Sequence, residues 1–392
     1  MASTGSAAGD GTSAHVDLLV GIVTEIISAR DFRRMKILTI NAEIPKPTIQ
    51  SKFSANLITP CGTSVPPLTQ SDIDDATVVV AQMGLEPWLE AMSAHPDFDI
   101  IIAGRSYDPS PYAAFCMHRG IPDLGLAYHM GKIMECGAAC AVPKSAEALA
   151  VVRAGSFDVL PLNREARCTP LSVAAHTLYE KTRPDLLAGP GGVLDLRDTK
   201  FEQLDDGKTC RVTGSRFMPS PKGSYTVKLE GARVTGHTAM FIGGIRDPIM
   251  VSQLDNLVPM IEARLRMVLS FKFELAIQFF GKDPLVKELG MPGVPTEVGV
   301  LGKVLAGTQD EAKAVANLAK VFFIHAPYAG QVATAGNLMM PFSPCDVSLG
   351  PAAEFCIYHL MQVDDPVKWF PFGVKVVGAE PSNKVTNGSR NG

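Results

Sequence analysis

The chain has 392 residues, of which 46% are apolar and 19% are charged, so it can bury a sizeable core and is not an intrinsically disordered protein. Its 40 acidic and 36 basic side chains give a net charge of −4, which argues against nucleic acid or an anionic membrane as a partner. A chain of this length has room for two domains or three.

The signals for cellular compartment agree with one another. Residues 1–14 contain neither the basic start nor the apolar run of a secretion signal, and no apolar run is long enough to span a membrane. The eight cysteines are scattered, and only Cys136 and Cys140 are close together, so the spacing defines no zinc set. We therefore expect a cytoplasmic protein with reduced thiols and no membrane contact.

Residues 1–150 alternate between helix and strand patterns, which favours an α/β layer with a mostly parallel sheet. The predicted elements are a Gly-rich loop at Gly5–Gly11, a helix over His15–Arg30, a strand over Lys36–Ile44, a helix start at Thr69, a strand over Thr77–Gln82, a helix over Glu86–Ala94 and a strand over Phe98–Ala103. Residues 108–143 are predicted to be helical in two pieces, with a break near Gly120. Ligands of such sheets lie beyond the carboxyl ends of the strands, so the loop after Ala103 is the first place to look for chemistry.

The pattern changes after residue 150. Residues 151–220 are rich in short strands and turns and are predicted to form a connecting region. Residues 221–377 are predicted to form an α+β sandwich domain with a β-β-α-β-β-α-β-like order, followed by a disordered tail at 378–392. Its elements are strands over Tyr225–Leu229 and His237–Ile242, a helix over Val251–Leu269, strands over Phe273–Phe280 and Glu297–Leu305, a helix over Gln309–His325 with Thr308 as its N-cap, and a strand over Glu354–Gln362.

The strongest local signal is the segment GRSYDPSP, which directly follows the strand ending at Ala103. Arg105 could bind a carboxylate or a phosphate in bidentate fashion. Asp108 could act as a base, bind a metal or cap the following helix, and the two side chains could equally pair with each other.

A second signal is the segment HMGKIMEC. On a continuous helix His129, Lys132 and Cys136 share one face, with Glu135 beside it, which could build an acid–base pair or an activated thiolate. The alternative is a hydrogen-bonded histidine and a cysteine that both face the core. Zinc binding through His129, Cys136 and Cys140 is geometrically compatible with this spacing.

Two further features complete the candidate residues. His176 lies four positions before Glu180 in a helix-like run, a spacing that orients an imidazole but also occurs as plain helix stabilisation. Gly5, Gly9 and Gly11 precede a helix and could hold a phosphate, although the strand and the lysine of a P-loop are missing.

Eight segments, in this order, resemble the acyclic terpene utilisation (AtuA-like) family. They are GRSYDPSPYAAF, HMGKIMECGA, SVAAHTLYE, GPGGVLDL, YTVKLEGA, GIRDPIM, ATAGNLMMPFSPCD and EFCIYHLM, within a resemblance that runs from about Gly5 to Val377. Typical members carry an additional N-terminal strand and helix, so the resemblance implies that this chain begins in the Gly-rich loop, and that either the gene model is short or the protein has lost one strand of its first sheet. The namesake belongs to the bacterial degradation of citronellol and geraniol, where it is associated with carbon–carbon cleavage of a branched 3-hydroxyglutaryl-CoA and release of acetate.

The resemblance implies a lyase that acts on a branched hydroxy-acid or its CoA thioester, in catabolism or in a specialised-metabolite pathway. We expect His129 or Asp108 to be the base and Arg105 to hold a carboxylate, in one hollow shared with Cys136. The second interpretation is a hydratase or dehydratase on the same substrate class, which would use similar side chains. A non-catalytic subunit, completed by a partner at the unpaired sheet edge, is the third interpretation. Whether a divalent metal is bound and whether the chain forms homo- or hetero-oligomers are left open.

Overall fold

The mixed α/β chain folds into two compact units. A computed structural model describes residues 2–4, 9–178, 183–282, 297–332 and 337–378. The first unit comprises Met1–Ala232 and Phe355–Gly392, and the second comprises Arg233–Glu354. The predicted boundaries at 150, 220 and 377 stay an expectation about domains, whereas the packing divides the chain near 232 and 354. The predicted tail lies outside the described residues from position 379 onward.

The helices of the first unit begin where the sequence places capping residues. The side chains of Thr12, Thr69, Asp123 and Thr169 each accept a hydrogen bond from a backbone N–H of the first turn. The described helices of this unit are α1 (Ser13–Ala29), α2 (Lys46–Ser54), α3 (Gln70–Asp75), α4 (Glu86–Ala94), α5 (Ser110–His118), α6 (Leu124–Met134) and α7 (Pro170–Thr177). The predicted break near Gly120 separates α5 from α6.

The strands are short before residue 220 and longer after it. In chain order they are β1 (Ala2–Thr4), β2 (Met35–Ile40), β3 (Ile58–Pro60), β4 (Val78–Gln82), β5 (Ile100–Ala103), β6 (Ala141–Val142), β7 (Ala148–Arg153), β8 (Ser156–Pro161), β9 (Arg167–Cys168), β10 (Leu186–Gly189), β11 (Gly192–Asp195), β12 (Lys200–Gln203), β13 (Cys210–Thr213), β14 (Arg216–Pro219), β15 (Thr226–Ile245), β16 (Phe273–Phe280), β17 (Val298–Ala306), β18 (Asp346–Gln362) and β19 (Phe372–Val377).

One sheet of the first unit has the strand order β1-β5-β2-β19. Strands β1, β5 and β2 are parallel, and β19 runs antiparallel to β2. Helix α1 covers this sheet by packing Val16 and Val20 against Ile37 and Ile102. The strand that was expected to be missing is present over Ala2–Thr4, which pairs with β5 and forms the edge of this sheet. The carboxyl ends of β2 and β5 lie side by side and lead into residues 41–44 and 104–108.

Strand β4 does not join the parallel sheet, where the alternation of helices and strands predicts it. It pairs antiparallel with the first part of β15, in a register that places Lys228 opposite Gln82 and Glu230 opposite Val80. The three central residues of β4 are apolar, and such residues suit a strand of the parallel sheet as well as a strand paired with β15. The hydrophobic pattern alone therefore could not identify the sheet that β4 joins. The pairing matters for the site because it brings Glu230 to the loop that follows β5.

The remaining sheets of the first unit are built from the short strands. Their orders are β12-β13-β8-β7, β10-β11-β14 and β6-β9, all antiparallel. Strands β7 to β14 confirm the short strands and turns predicted for residues 151–220. Helix α7 also lies in this region and packs against β6, β12 and β13.

The second unit places helices against antiparallel strands in the order β16-β17-β15. Its helices are α8 (Pro248–Ser252), α9 (Leu254–Val268) and α10 (Gln309–Ile324). Thr308 caps α10 as predicted, and Glu311 completes a capping box. None of the helices in the described ranges is long and apolar enough to cross a lipid bilayer.

The two strands predicted over Tyr225–Leu229 and His237–Ile242 are parts of one continuous strand, β15, over Thr226–Ile245. Gly231 and Gly236 inside this stretch look like turn residues. In the strand, a Cβ at Gly231 would lie 3.1 Å from side-chain atoms of both Ile357 and Val79, so the glycine serves close packing rather than a turn.

We predict that Gly302 in β17 is more sensitive to a methyl group than Gly299 in the same strand. A Cβ at Gly302 would lie 2.1 Å from the Phe241 ring, whereas a Cβ at Gly299 meets nothing closer than 3.5 Å. Phe241 is fully buried and packs against Phe323, so it has little room to move. Gly302→Ala should lower the free energy of unfolding in urea by about 1–3 kcal/mol.

Gly299→Ala is the matched control, with an expected change below about 1 kcal/mol. Equal stabilities of the two variants would contradict the packing of β15 on β17.

Candidate active site

Arg105 follows β5, and its guanidinium donates to oxygen atoms of the protein. Its Nε donates to Glu230 Oε2 at 2.7 Å, and its Nη1 donates to the Ser106 carbonyl at 3.0 Å and to Asp108 Oδ1 at 3.2 Å. The side chains of Arg105 and Glu230 are only 19% and 12% exposed. The guanidinium therefore joins the loop after β5 to strand β15, which is a positional role.

Glu230 is the partner that the sequence analysis missed. Besides Arg105, it pairs with Lys228 at 2.7 Å and accepts a hydrogen bond from Gln82 at 3.3 Å. Burial acts to raise the pKa of Glu230, but the hydrogen bonds from Arg105 and Lys228 outweigh it and leave this pKa below its usual value. The signal was present as Lys228 and Glu230 two positions apart in a strand, a spacing that puts both on one face.

Asp108 forms the ion pair with Arg105 that the sequence analysis offered as one alternative, and it does not cap the following helix. The N-cap of α5 is Pro109, and no side chain caps this helix. Asp108 bonds to Arg105 and its side chain is 46% exposed, so it is the outer member of the Arg105 network and still faces solvent.

His129 lies in the core of the first unit. It is fully buried, its Nδ1 lies 2.7 Å from Ser215 Oγ, and its Nε2 lies 3.0 Å from Thr177 Oγ1. The rings of Phe157 and Phe201 pack edge-on against the imidazole. Both ring nitrogens are thus engaged by hydroxyl groups, as the core alternative predicted, and His129 is a positioning residue rather than a base that meets substrate.

The expected common face of His129, Lys132 and Cys136 is wrong because α6 ends at Met134. Glu135 is the C-cap, where it forms an ion pair with the buried Lys132, and Cys136 lies in the turn beyond. The turn carries the thiol of Cys136 away from the helix face and leaves it exposed.

Cys136 and His176 line one pocket of about 500 Å³. One wall is the turn and strand that run from Cys136 to Lys144, and the other is helix α7, which contributes Ser172 and His176. The capping box formed by Thr169 and Ser172 fixes the start of α7. The pocket combines an imidazole, a thiol, a hydroxyl and an ammonium group on walls that are otherwise apolar. Such a set can hold a carboxylate and move a proton.

The positions of His129, Cys136 and Cys140 do not support the zinc site that their spacing allowed. Cys140 is buried beside Cys168, with 3.9 Å between the sulfur atoms, whereas His129 is engaged by Ser215 and Thr177. Across the described ranges, no three histidine, cysteine or carboxylate side chains are grouped in a way that could hold a metal ion. Glu180, which was expected to pair with His176, lies outside the described residues.

The Gly-rich loop packs against the loop after β5. Gly5 lies outside the described residues, and Gly9 is exposed. The Gly11 carbonyl accepts the Arg105 N–H at 3.2 Å, and a Cβ at Gly11 would lie 2.4 Å from that nitrogen. The Glu43 carboxylate already accepts the Ser13 N–H at the start of α1, at 2.7 Å. A protein carboxylate therefore lies where a phosphate was expected.

The six predicted residues thus fall in four places. Arg105 and Asp108 belong to the Glu230 network, Glu135 pairs with Lys132, and His129 lies in the core. Cys136 and His176 share the pocket. Lys144 and Ser172, which also line this pocket, were not predicted.

We predict that Glu230→Gln destabilises the protein far more than Asp108→Asn, although both carboxylates bind Arg105. The first change leaves two largely buried cations, Arg105 and Lys228, without their shared anion, at a cost of about 3 kcal/mol. The second removes a half-exposed partner and should cost less than about 1 kcal/mol. Urea denaturation measures both, and similar losses would contradict a central role for Glu230.

We also predict that His129 makes stability depend on pH. Burial lowers the pKa of His129 to about 3 from an ordinary value of 6.5. As the pH falls, His129 therefore binds a proton in the unfolded chain but not in the folded protein. The stability that comes from the neutral imidazole is complete above the pKa of His129 in the unfolded chain and is lost as the pH falls below it. The loss between about pH 7.5 and about pH 5 should be about 2 kcal/mol.

The comparison is His129→Gln, whose free energy of unfolding should fall less steeply over the same range. His359 also has a pKa lowered by burial, but it is present in both chains and its effect cancels. Parallel curves for the two proteins would contradict the burial of a neutral imidazole.

The chain was compared with protein families, curated proteins and solved structures. The family model described as acyclic terpene utilisation family protein AtuA matches residues 10–340. No curated protein and no solved structure is similar enough to the chain to count as a match. The family match covers most of the chain and includes the Arg105 network, the core around His129 and both walls of the pocket. The chain therefore belongs to the acyclic terpene utilisation family, AtuA.

Proposed function

We propose that the chain is a lyase that cleaves a carbon–carbon bond in a branched 3-hydroxy-acid or its CoA thioester, in terpenoid or branched-acid catabolism or a specialised-metabolite pathway. We place the chemistry in the pocket of Cys136 and His176. The observation that supports this choice is that two family-like segments, HMGKIMECGA and SVAAHTLYE, supply a thiol and an imidazole to the same pocket. Lys144 adds a positive charge for a carboxylate substrate.

The proposed reaction is a retro-aldol cleavage. His176 takes the proton of the 3-hydroxyl group, and the oxygen electron pair forms a carbonyl as the bond to the neighbouring carboxymethyl group breaks. The bonding electrons move to the departing carbon, giving an enediolate. The Lys144 ammonium holds the carboxylate on which this charge develops. The Cys136 thiol gives its proton to that carbon, and acetate leaves.

This assignment differs from the roles expected from the sequence. His129 is fully buried, with hydroxyl groups at both ring nitrogens. The Arg105 guanidinium is bound to Glu230 and Asp108. The base is therefore His176 in our proposal, and the residue that receives the substrate carboxylate is Lys144.

A hydratase or dehydratase on the same substrate class is the second candidate, because the same imidazole and ammonium could remove an α-proton and assist loss of the hydroxyl group. Products distinguish the two: cleavage gives two carbon fragments, whereas dehydration gives one product that is lighter by a water molecule. A non-catalytic subunit completed by a partner stays the third candidate, and the sheet edge open to that partner would be the edge of β1, since Ala2–Thr4 pairs with β5.

The test is turnover of branched 3-hydroxyglutaryl-CoA thioesters and their free acids, over a series of chain lengths, with products identified by mass spectrometry. We predict that His176→Gln lowers kcat/KM by at least about 100-fold, whereas Lys144→Met acts mainly through KM. The matched controls are His325→Gln and Lys272→Met, which change exposed side chains of the second unit. These controls should retain activity.

Two results would contradict the proposal. One is cleavage at the wild-type rate in a His176→Gln, Lys144→Met double variant. The other is a dehydrated product without carbon–carbon cleavage, which would establish the second candidate instead.

A further inference from the structure

The first unit contains a second hollow, of about 610 Å³, that the proposed reaction does not use. It is formed where the turn between β11 and β12 meets the turn between β13 and β14. Three cations, Arg197, Lys200 and Arg216, face a single lining carboxylate, Asp198. We call this site the basic hollow, since its lining carries an excess of positive charge in a protein whose net charge is negative.

The two turns of the basic hollow approach each other so closely that only glycine fits between them. Gly214 has a φ of +84°, and a Cβ there would lie 2.3 Å from the Asp198 carbonyl oxygen. The hydroxyl groups of Thr199 and Ser215 lie 3.3 Å apart across the same junction. Backbone packing therefore holds the two turns of the basic hollow together.

Arg197 is oriented before any ligand arrives. Asp195 accepts hydrogen bonds from its Nε at 2.9 Å and its Nη2 at 2.7 Å. The side chain of Arg197 is the main cause that lowers the pKa of Asp195 to about 2, so this carboxylate stays charged. A guanidinium has five N–H donors, so those not bound to Asp195 remain for an anion.

Lys200 and Arg216, the other two cations, can bind a ligand at little cost in free energy. Lys200 is exposed and has no ion-pair partner within the part of the chain that the structure describes. Arg216 lies 3.1 Å from Asp198, but these side chains are 70% and 62% exposed. An ion pair this exposed adds little stability, so Arg216 can exchange Asp198 for a stronger anion.

We propose that the basic hollow binds the phosphate groups of a small phosphorylated molecule. Arginine forks and a lysine ammonium are the side chains that bind phosphate oxygens best, and Thr199 and Thr213 add hydroxyl donors to the lining. The volume exceeds the needs of a single phosphate and suits a ligand of nucleotide size.

The basic hollow is also connected to the proposed catalytic pocket through hydrogen bonds. Thr199 contacts Ser215, Ser215 contacts His129, and His129 contacts Thr177 at 3.0 Å, beside His176 on helix α7. Two kinds of molecule carry phosphate groups that fit the basic hollow. One is the nucleotide part of a CoA thioester substrate, an assignment that rests on the proposed function. The other is a separate phosphorylated ligand.

Isothermal titration of the full chain with two probes tests the phosphate site, at an ionic strength near 0.15 M. The probes are adenosine 3′,5′-bisphosphate, which carries phosphates as CoA does, and inorganic pyrophosphate. The Lys200→Gln, Arg216→Gln double variant should weaken binding of the probe by at least about tenfold. The control is Arg164→Gln, Lys208→Gln, which removes the same net charge from exposed residues that do not line the basic hollow and should bind as wild type does.

The outcomes separate the sources. Bisphosphate that binds at least about ten times more tightly than pyrophosphate assigns the basic hollow to CoA. Comparable affinities assign it to a separate phosphorylated ligand, and both results support a phosphate site. The proposal is overturned if neither probe binds, or if the Lys200, Arg216 variant binds as well as its control. Neither probe carries an acyl group, so an inactive lyase would leave this result unchanged.

Discussion

The two hydrogen bonds of the buried His129 are the constraint on which the rest of the site depends. Through Thr177 they hold helix α7, and through Ser215 they hold the turn between β13 and β14. A buried imidazole without partners would cost the desolvation of two polar atoms, so these contacts restrict where both elements can lie. The histidine that looked most like a catalyst instead positions two surfaces: the pocket that contains His176 and the basic hollow.

Charge is used in two different ways in the first unit. Arg105, Glu230 and Lys228 neutralise one another in a largely enclosed network that joins the loop after β5 to strand β15. Removing one member would leave buried charge behind, so this network fixes geometry. Lys144 and Lys200 are exposed at the edges of hollows, where a carboxylate or phosphate can reach them. Exposure of the cation itself, rather than its type, distinguishes the two groups: Arg105 and Lys228 are 19% and 18% exposed, whereas Arg197 and Arg216 are 58% and 70% exposed.

Local features of the sequence predicted local structure well. The helix over Glu86–Ala94 and the strand over Phe273–Phe280 have the predicted ends, and Thr308 caps α10, because periodicity and caps act within a few residues. The partner of β4 and the continuity of β15 depend on contacts between distant segments, which one sequence does not contain. The pocket was missed for the same reason. Cys136 meets His176 only because α6 ends at Met134 and the following turn carries the thiol to a helix forty residues later.

The central claim, that substrate binds between Cys136 and His176, can be tested through the thiol itself. Cys136 is exposed, Cys61 and Cys356 are partly exposed, and the other five cysteines are buried. The measurement is the alkylation rate of each cysteine by iodoacetamide, followed by mass spectrometry with and without saturating branched 3-hydroxyglutaryl-CoA thioesters. We predict that one of these ligands slows alkylation of Cys136 by at least about tenfold and leaves Cys61 unaffected. Turnover of the ligand together with an unchanged alkylation rate at Cys136 would contradict it.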